Sequence, residues 1–171
     1  MARPARRPRG VKSRPPIDIA RAIDTLAEHG VEFVVIGGFA VIGHGSQRIT
    51  RDLDIVANPA PANGRRLIRA LVDLGAEHRL SSGRWVKLSP RADPKWIARE
   101  NRLFNTRAGG IDVFNKLEGV PTWKEARPRA VETEAFGHEI LILDLDLLIR
   151  SKLAAGRDQD LADVAELTQP E

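Results

Sequence analysis

The chain has 171 residues, 42% of them hydrophobic and 29% charged, with no cysteine; that suits one domain with its own core and excludes disulfides, thiolate metal sites and cysteine nucleophiles. No apolar run approaches the roughly 18 residues needed to cross a bilayer, and the N-terminus lacks the apolar stretch of a signal peptide, so a soluble, cytoplasmic protein without a membrane partner is expected. The net charge of +4 is uneven: Arg3, Arg6, Arg7, Arg9, Lys12 and Arg14 fall within residues 1–16 with no acid, and taking those six from the 27 basic residues leaves 21 against 23 acidic ones.

Residues 1–16 also hold Pro4, Pro8, Pro15 and Pro16 and almost no large apolar side chains. Such a segment cannot bury enough surface to fold alone. It reads as a disordered basic arm, either attracting phosphate backbones or serving as a solubilising leader. Residues 17–171 read as one folded domain. Ile19, Ile23 and Leu26 recur on one helical face, and Gly30 fits the position just past that helix, where a left-handed backbone is easiest without a Cβ. Val31 to Ile36 is β-rich and nearly all apolar, a buried strand. Gly37-Gly38 ends it, and Phe39 to Ile42 forms a short helix stopped at Gly43. A second strand starts at Leu53 and closes at Asn58-Pro59. Leu67, Leu71 and Leu74 mark a helix ending at Gly75.

Trp85 to Leu88 alternates as a strand, and Asn101 to Thr106 reads as another. Gly109-Gly110 is expected to turn the chain into a short strand, Ile111 to Phe114. Val131 to Ala135 and Glu139 to Leu143 pair as a hairpin across Phe136-Gly137-His138. Asp144 caps a helix running through Ala155, Gly156 breaks it, and a last helix spans Asp158 to Leu167. The order is α-β-α-β-α, then short strands, then two helices, which predicts an α/β (α+β) domain with a small mixed sheet flanked by helices.

The chemistry concentrates around Asp52-Leu53-Asp54. Side chains alternate along a strand, so the two acids share one face while Leu53 and Ile55 enter the core. Carboxylates so placed repel each other, and nothing in folding favours that unless a cation sits between them. Mg²⁺ prefers oxygen ligands and keeps positions free for triphosphate oxygens. Gly37-Gly38 joins a buried strand to a helix, where bare backbone can approach an anion. Neither a P-loop nor a Gly-x-Gly-x-x-Gly fingerprint is present. Asp112, between Ile111 and Val113, reaches the same cation if its strand lies beside that of Asp52 and Asp54. Arg48 and Arg51 flank the acid pair and are phosphate candidates. In the helix after Asp144, Leu145, Leu148, Ile149 and Lys152 share the inward stripe. A lysine there needs an anionic partner, either Asp160, in a pair tying the last helices together, or a bound triphosphate.

These pieces together resemble a known family. Gly37-Gly38, then Asp52-x-Asp54, then Asp112 in an apolar strand is the signature of the polymerase-β-like nucleotidyltransferases. Gly37-Gly-Phe-Ala-Val, His44-Gly45 and Arg48-Ile-Thr-Arg-Asp-Leu-Asp look like the AbiEii-type nucleotidyltransferases, many of them bacterial toxins. Lys152-Leu-Ala-Ala-Gly-Arg157-Asp-Gln-Asp160-Leu-Ala-Asp163 is similar to that family's closing pattern. The likeness spans about residues 17–168. It implies the nucleotidyltransferase fold with a C-terminal helical pair, Mg²⁺ (or Mn²⁺) held by Asp52, Asp54 and Asp112, and a nucleoside triphosphate as donor. It further implies that Asp112 is a general base, and that Gly37, Gly38, Arg48, Lys152 and Asp160 serve nucleotide binding, with Lys152 counted among the catalytic residues. The acceptor it implies is RNA, most plausibly the 3′ end of tRNA, in a toxin with a cognate antitoxin. Alternatives are a protein side chain or an antibiotic as acceptor, or a non-catalytic nucleotide or RNA binder on the same fold.

Overall fold

The computed structural model describes residues 16–116 and 119–169. Among these residues seven helices flank one eight-stranded mixed sheet. In chain order the elements are α1 (Ile19–Glu28), β1 (Phe33–Ile36), α2 (Gly37–Gly43), β2 (Asp52–Ala57), α3 (Pro61–Asp73), β3 (Glu77–Arg79), β4 (Trp85–Lys87) and α4 (Pro94–Ile97). Then come β5 (Arg102–Thr106), β6 (Gly109–Val113), α5 (Trp123–Ala126), β7 (Val131–Ala135), β8 (His138–Ile142), α6 (Leu145–Ala155) and α7 (Asp158–Leu167). The strand order is β4-β3-β5-β6-β2-β1-β8-β7. Among the described residues no helix is long and apolar enough to cross a membrane.

The centre of the sheet follows from local chemistry. Asp18 starts α1 by accepting the Arg21 amide at 3.1 Å, and Ala22, Ile23 and Leu26 face the core with no exposed surface. Gly30, at φ +64°, turns the chain back into β1. β1 pairs antiparallel with β2, and β2 pairs parallel with β6. Leu53, Ile55 and Ile111, all fully buried, extend one apolar layer across β2 and β6, with α1 packed on β2. Fully burying such a side chain contributes about 1.5–3 kcal/mol, so this layer anchors the register.

Several boundaries differ from the sequence expectation: α2 begins at Gly37 rather than Phe39, β2 at Asp52 rather than Leu53, and three further differences have a visible local cause. Gly109 and Gly110 lie inside β6, paired with Thr106 and Asn105, rather than forming a turn. At φ +104°, Gly109 sits so close to Ile17 that a Cβ would fall 2.8 Å from its Cα, which is why a glycine stands in the strand. The hairpin turn is two residues, Phe136 and Gly137, both at positive φ (54° and 79°), so His138 belongs to β8 opposite Ala135. That backbone matches the twist of the flanking strands. β1 begins at Phe33 because the Glu32 amide donates to Asn63 Oδ1 at 2.8 Å, outside the ladder. β3, α4 and α5 are elements not expected from sequence. The basic arm expected at residues 1–16 lies, up to residue 15, outside the described residues.

Candidate active site

The register of β2 and β6 sets Asp54 opposite Asp112, with Asp52 two residues earlier on the same face. A carboxylate oxygen from each of the three lies within 4.8 Å of the others. Asp112 is 7% exposed, while Asp52 and Asp54 are half-buried. Three carboxylates this close oppose one another electrostatically, and the set offers oxygen donors alone, which suits a hard divalent cation.

The β1–α2 junction closes one side of this cluster. Gly37 has φ +63°, and a Cβ there would fall 2.1 Å from Asp54 Oδ2, so only glycine lets the strand end against that carboxylate. A Cβ on Gly38 would meet Thr50 Oγ1 at 2.8 Å and the Arg48 guanidinium carbon at 3.4 Å. Ile36 holds the N-cap position of α2 and supplies no side-chain oxygen. The amides of the first helical turn therefore have no side-chain cap, which is the condition for anion binding at a helix start.

Beside this junction runs a chain of charges that links Arg48 to α6 and α7. Lys152 Nζ is 2.9 Å from Asp160 Oδ1 and 2.7 Å from Asp163 Oδ2, with side-chain exposures of 7%, 1% and 1%. Arg48 donates to the same Asp163 oxygen. Gln159 donates to the other at 2.9 Å. Arg157 grips Asp160 through Nε (2.6 Å) and Nη2 (3.3 Å). Burial works against ionising Asp160, yet hydrogen bonds from Arg157 and Lys152 hold its carboxyl below the ordinary range. The Arg157 guanidinium is correspondingly raised, first by its bond to Asp160, against some desolvation, and further by the charges of Asp54 and Asp52. Arg157 therefore stands within electrostatic reach of the acid cluster.

Eight chains of known structure resemble this one, three of which illustrate the likeness. The lincosamide antibiotic adenylyltransferase LnuA, bound to lincomycin, superposes with a TM-score of 0.61 at 14% identity, over 91% of this chain and 99% of its own. The antibiotic-resistance factor ANT(2″)-Ia gives 0.57 at 13% identity, over 87% of this chain and 80% of its own. A candidate nucleotidyltransferase from Thermotoga maritima gives 0.52 at 17% identity, over 86% and 88%. This is the nucleotidyltransferase fold. No protein-family model and no curated protein matches the chain.

Within the nucleotidyltransferase fold, every residue singled out from sequence, apart from the exposed Arg51, falls in one connected set of contacts. Asp52, Asp54 and Asp112 converge, Gly37 lies against Asp54, and Gly38 lies against Arg48. Arg48 reaches Asp163, and Asp163 with Asp160 holds Lys152. Of the partners the sequence offered for Lys152, Asp160 is in contact with it. Two members, Asp163 and Arg157, were not selected as site residues. The signal for Asp163 was present: it follows Asp160 by three residues on a helix, hence on the same face. Arg157 was marked as well, by its place in the closing pattern three residues before Asp160, but its position beside the acid cluster depends on how α7 docks.

Proposed function

We propose that the protein is a metal-dependent nucleotidyltransferase that moves a nucleoside monophosphate group from a nucleoside triphosphate to an acceptor. The observation that carries this is the convergence of Asp52, Asp54 and Asp112 within 4.8 Å from two adjacent strands, beside the Gly37 junction. The donor set fits Mg²⁺ or Mn²⁺, which the three carboxylates would hold, and such a cation supplies charge that offsets the phosphate oxygens. An acceptor oxygen attacks the α-phosphorus, the bond from that phosphorus to the bridging β-phosphate oxygen breaks, and pyrophosphate leaves. The acceptor's proton passes to Asp112. The Gly37 and Gly38 backbone, Arg48 and the charge of Lys152 form the side that receives the triphosphate. Asp160 takes part by fixing Lys152 in place.

The acceptor we favour is RNA, most plausibly the 3′ end of tRNA, in a toxin held in check by an antitoxin. Support comes from the resemblance of the Gly37–Asp54 and Lys152–Asp163 segments to AbiEii-type proteins and from the six cations of residues 1–16. The two antibiotic-modifying neighbours in fold favour a second reading, a hydroxyl-bearing antibiotic. Incubating the protein and Mg²⁺ with each labelled nucleoside triphosphate and total RNA, protein or small-molecule extracts separates the two. Label in RNA supports the first, label in a small molecule supports the second, and no transfer to any fraction overturns both.

A further inference from the structure

The cations of the charge chain beside the acid cluster are not equally enclosed. Arg48, Lys152 and Arg157 all contact the carboxylates of Asp160 and Asp163, both essentially inaccessible. The two inner cations are held inside this network: Lys152 contacts both carboxylates from a side chain 7% exposed, and Arg48 shares Asp163 with it. Arg157 differs. Its side chain is 77% exposed, and Asp160 engages only Nε and Nη2. A guanidinium carries five N–H donors in a rigid fork, so the outer edge of the group remains open to solvent. An exposed arginine whose inner edge is fixed by a buried carboxylate loses little further freedom when a second anion arrives.

Backbone geometry fixes where that edge lies. Gly156 ends α6 at φ +63°, and Arg157 follows in extended conformation as the residue that starts α7. This tight corner ties Arg157 through Asp160, Lys152, Asp163 and Arg48 to Gly38, next to the Gly37 that abuts Asp54. The charges of Asp54 and Asp52 act on it there.

We propose that Arg157 binds the β- and γ-phosphates of the donor nucleotide and then the departing pyrophosphate, with Asp160 as the carboxylate that aims it. The proposal rests on the nucleotidyl-transfer reading of the same site. A planar fork suits paired phosphate oxygens, and the group on which charge accumulates as the α-phosphorus bond to the bridging oxygen breaks is the pyrophosphate. Asp160 is thus a positioning residue, while Arg157 touches the substrate.

The test is equilibrium binding by calorimetry of inorganic pyrophosphate, ATP and AMP, each with Mg²⁺, to wild type and Arg157→Gln. Loss of a charge-assisted contact of this kind weakens pyrophosphate and ATP binding by roughly ten- to a hundredfold, with AMP affinity unchanged because it lacks the phosphates concerned. A purely structural role would weaken all three ligands together and overturn the proposal. Arginine modification of the wild-type protein by phenylglyoxal gives a second measurement that needs no variant: pyrophosphate should protect Arg157, as read by peptide mass spectrometry. Absence of protection overturns the proposal even if the variant fails to fold. If wild type binds neither pyrophosphate nor any of the four ribonucleoside triphosphates, the nucleotidyl-transfer reading itself fails. If wild type binds them and Arg157→Gln binds them equally well, only the role of Arg157 falls.

Discussion

Asp54 is the residue at which stability and function should pull apart. Its carboxylate lies within 4.8 Å of both Asp52 and Asp112. At that separation each like-charge pair costs roughly 1 kcal/mol at the dielectric of water and 3.5 kcal/mol at an effective value of 20. Asp54→Asn removes two such repulsions while keeping the shape that packs against Gly37. It also forfeits an attraction to Arg157, which offsets part of the gain. The metal-free variant should therefore be more stable than wild type by about 1–2 kcal/mol, which for a domain of this size raises the melting temperature by about 2–8 °C.

Adding Mg²⁺ with nucleotide should reverse the order. A ligand at a hundred times its Kd stabilises the state that binds it by about 2.7 kcal/mol, and a variant lacking a site carboxylate should gain little of this. Melting curves with and without Mg²⁺ and each nucleoside triphosphate, run beside a transfer assay, give the crossing directly. A metal-free Asp54→Asn protein that melts well below wild type would refute the electrostatic reasoning. A variant that gains as much from metal and nucleotide as wild type, or transfers nucleotide at the wild-type rate, would refute the assignment of the site.

Lys152→Met leaves Asp160 and Asp163 buried without their shared cation, so urea unfolding should show a loss of about 3–5 kcal/mol, along with the loss of transfer; an unchanged midpoint would show that Arg48 and Arg157 suffice for both acids. Gly37→Ala combines a left-handed backbone, costing roughly 1–2 kcal/mol, with a Cβ forced 2.1 Å from Asp54 Oδ2, and should lose metal-dependent stabilisation out of proportion to its lower melting temperature. His78 packs edge-on against Trp96 and Phe104, and burial, then the Arg102 charge, lowers its pKa from the ordinary 6.5. Because the folded state disfavours the proton that the unfolded chain binds, its contribution is intact above pH 6.5 and is lost as pH falls through the lowered folded value; His78→Phe should flatten unfolding free energy across that window, and an unaltered pH profile would exclude His78 as the source.

How far the site could be read from sequence depends on the range of the interactions that build it. Strand alternation is a local rule, so the shared face of Asp52 and Asp54 was legible, as were the helix stops at Gly30, Gly75 and Gly156, where φ is positive. The cap at Asp144 was legible for the same reason, its carboxylate accepting the Leu147 amide at 2.8 Å. Asp112 needed one non-local assumption, that β6 lies beside β2; its apolar neighbours made the strand visible but not its pairing. The elements that escaped were those too short for periodicity to register. β3 is only Glu77-His78-Arg79, and α4 and α5 are single turns held by local caps, Asp93 to Lys95 and Thr122 with Glu125. The charge chain was legible only in part, because Arg48 meets Asp163 across 115 residues and that contact depends on the docking of α7. The division is physical. The acid cluster is written into one strand and its neighbour, whereas the opposing cations are set by helices brought in from the end of the chain. A buried lysine could be inferred to need an anion, but only the packed structure shows that two carboxylates already meet that need and leave Arg157 as the cation with an open face.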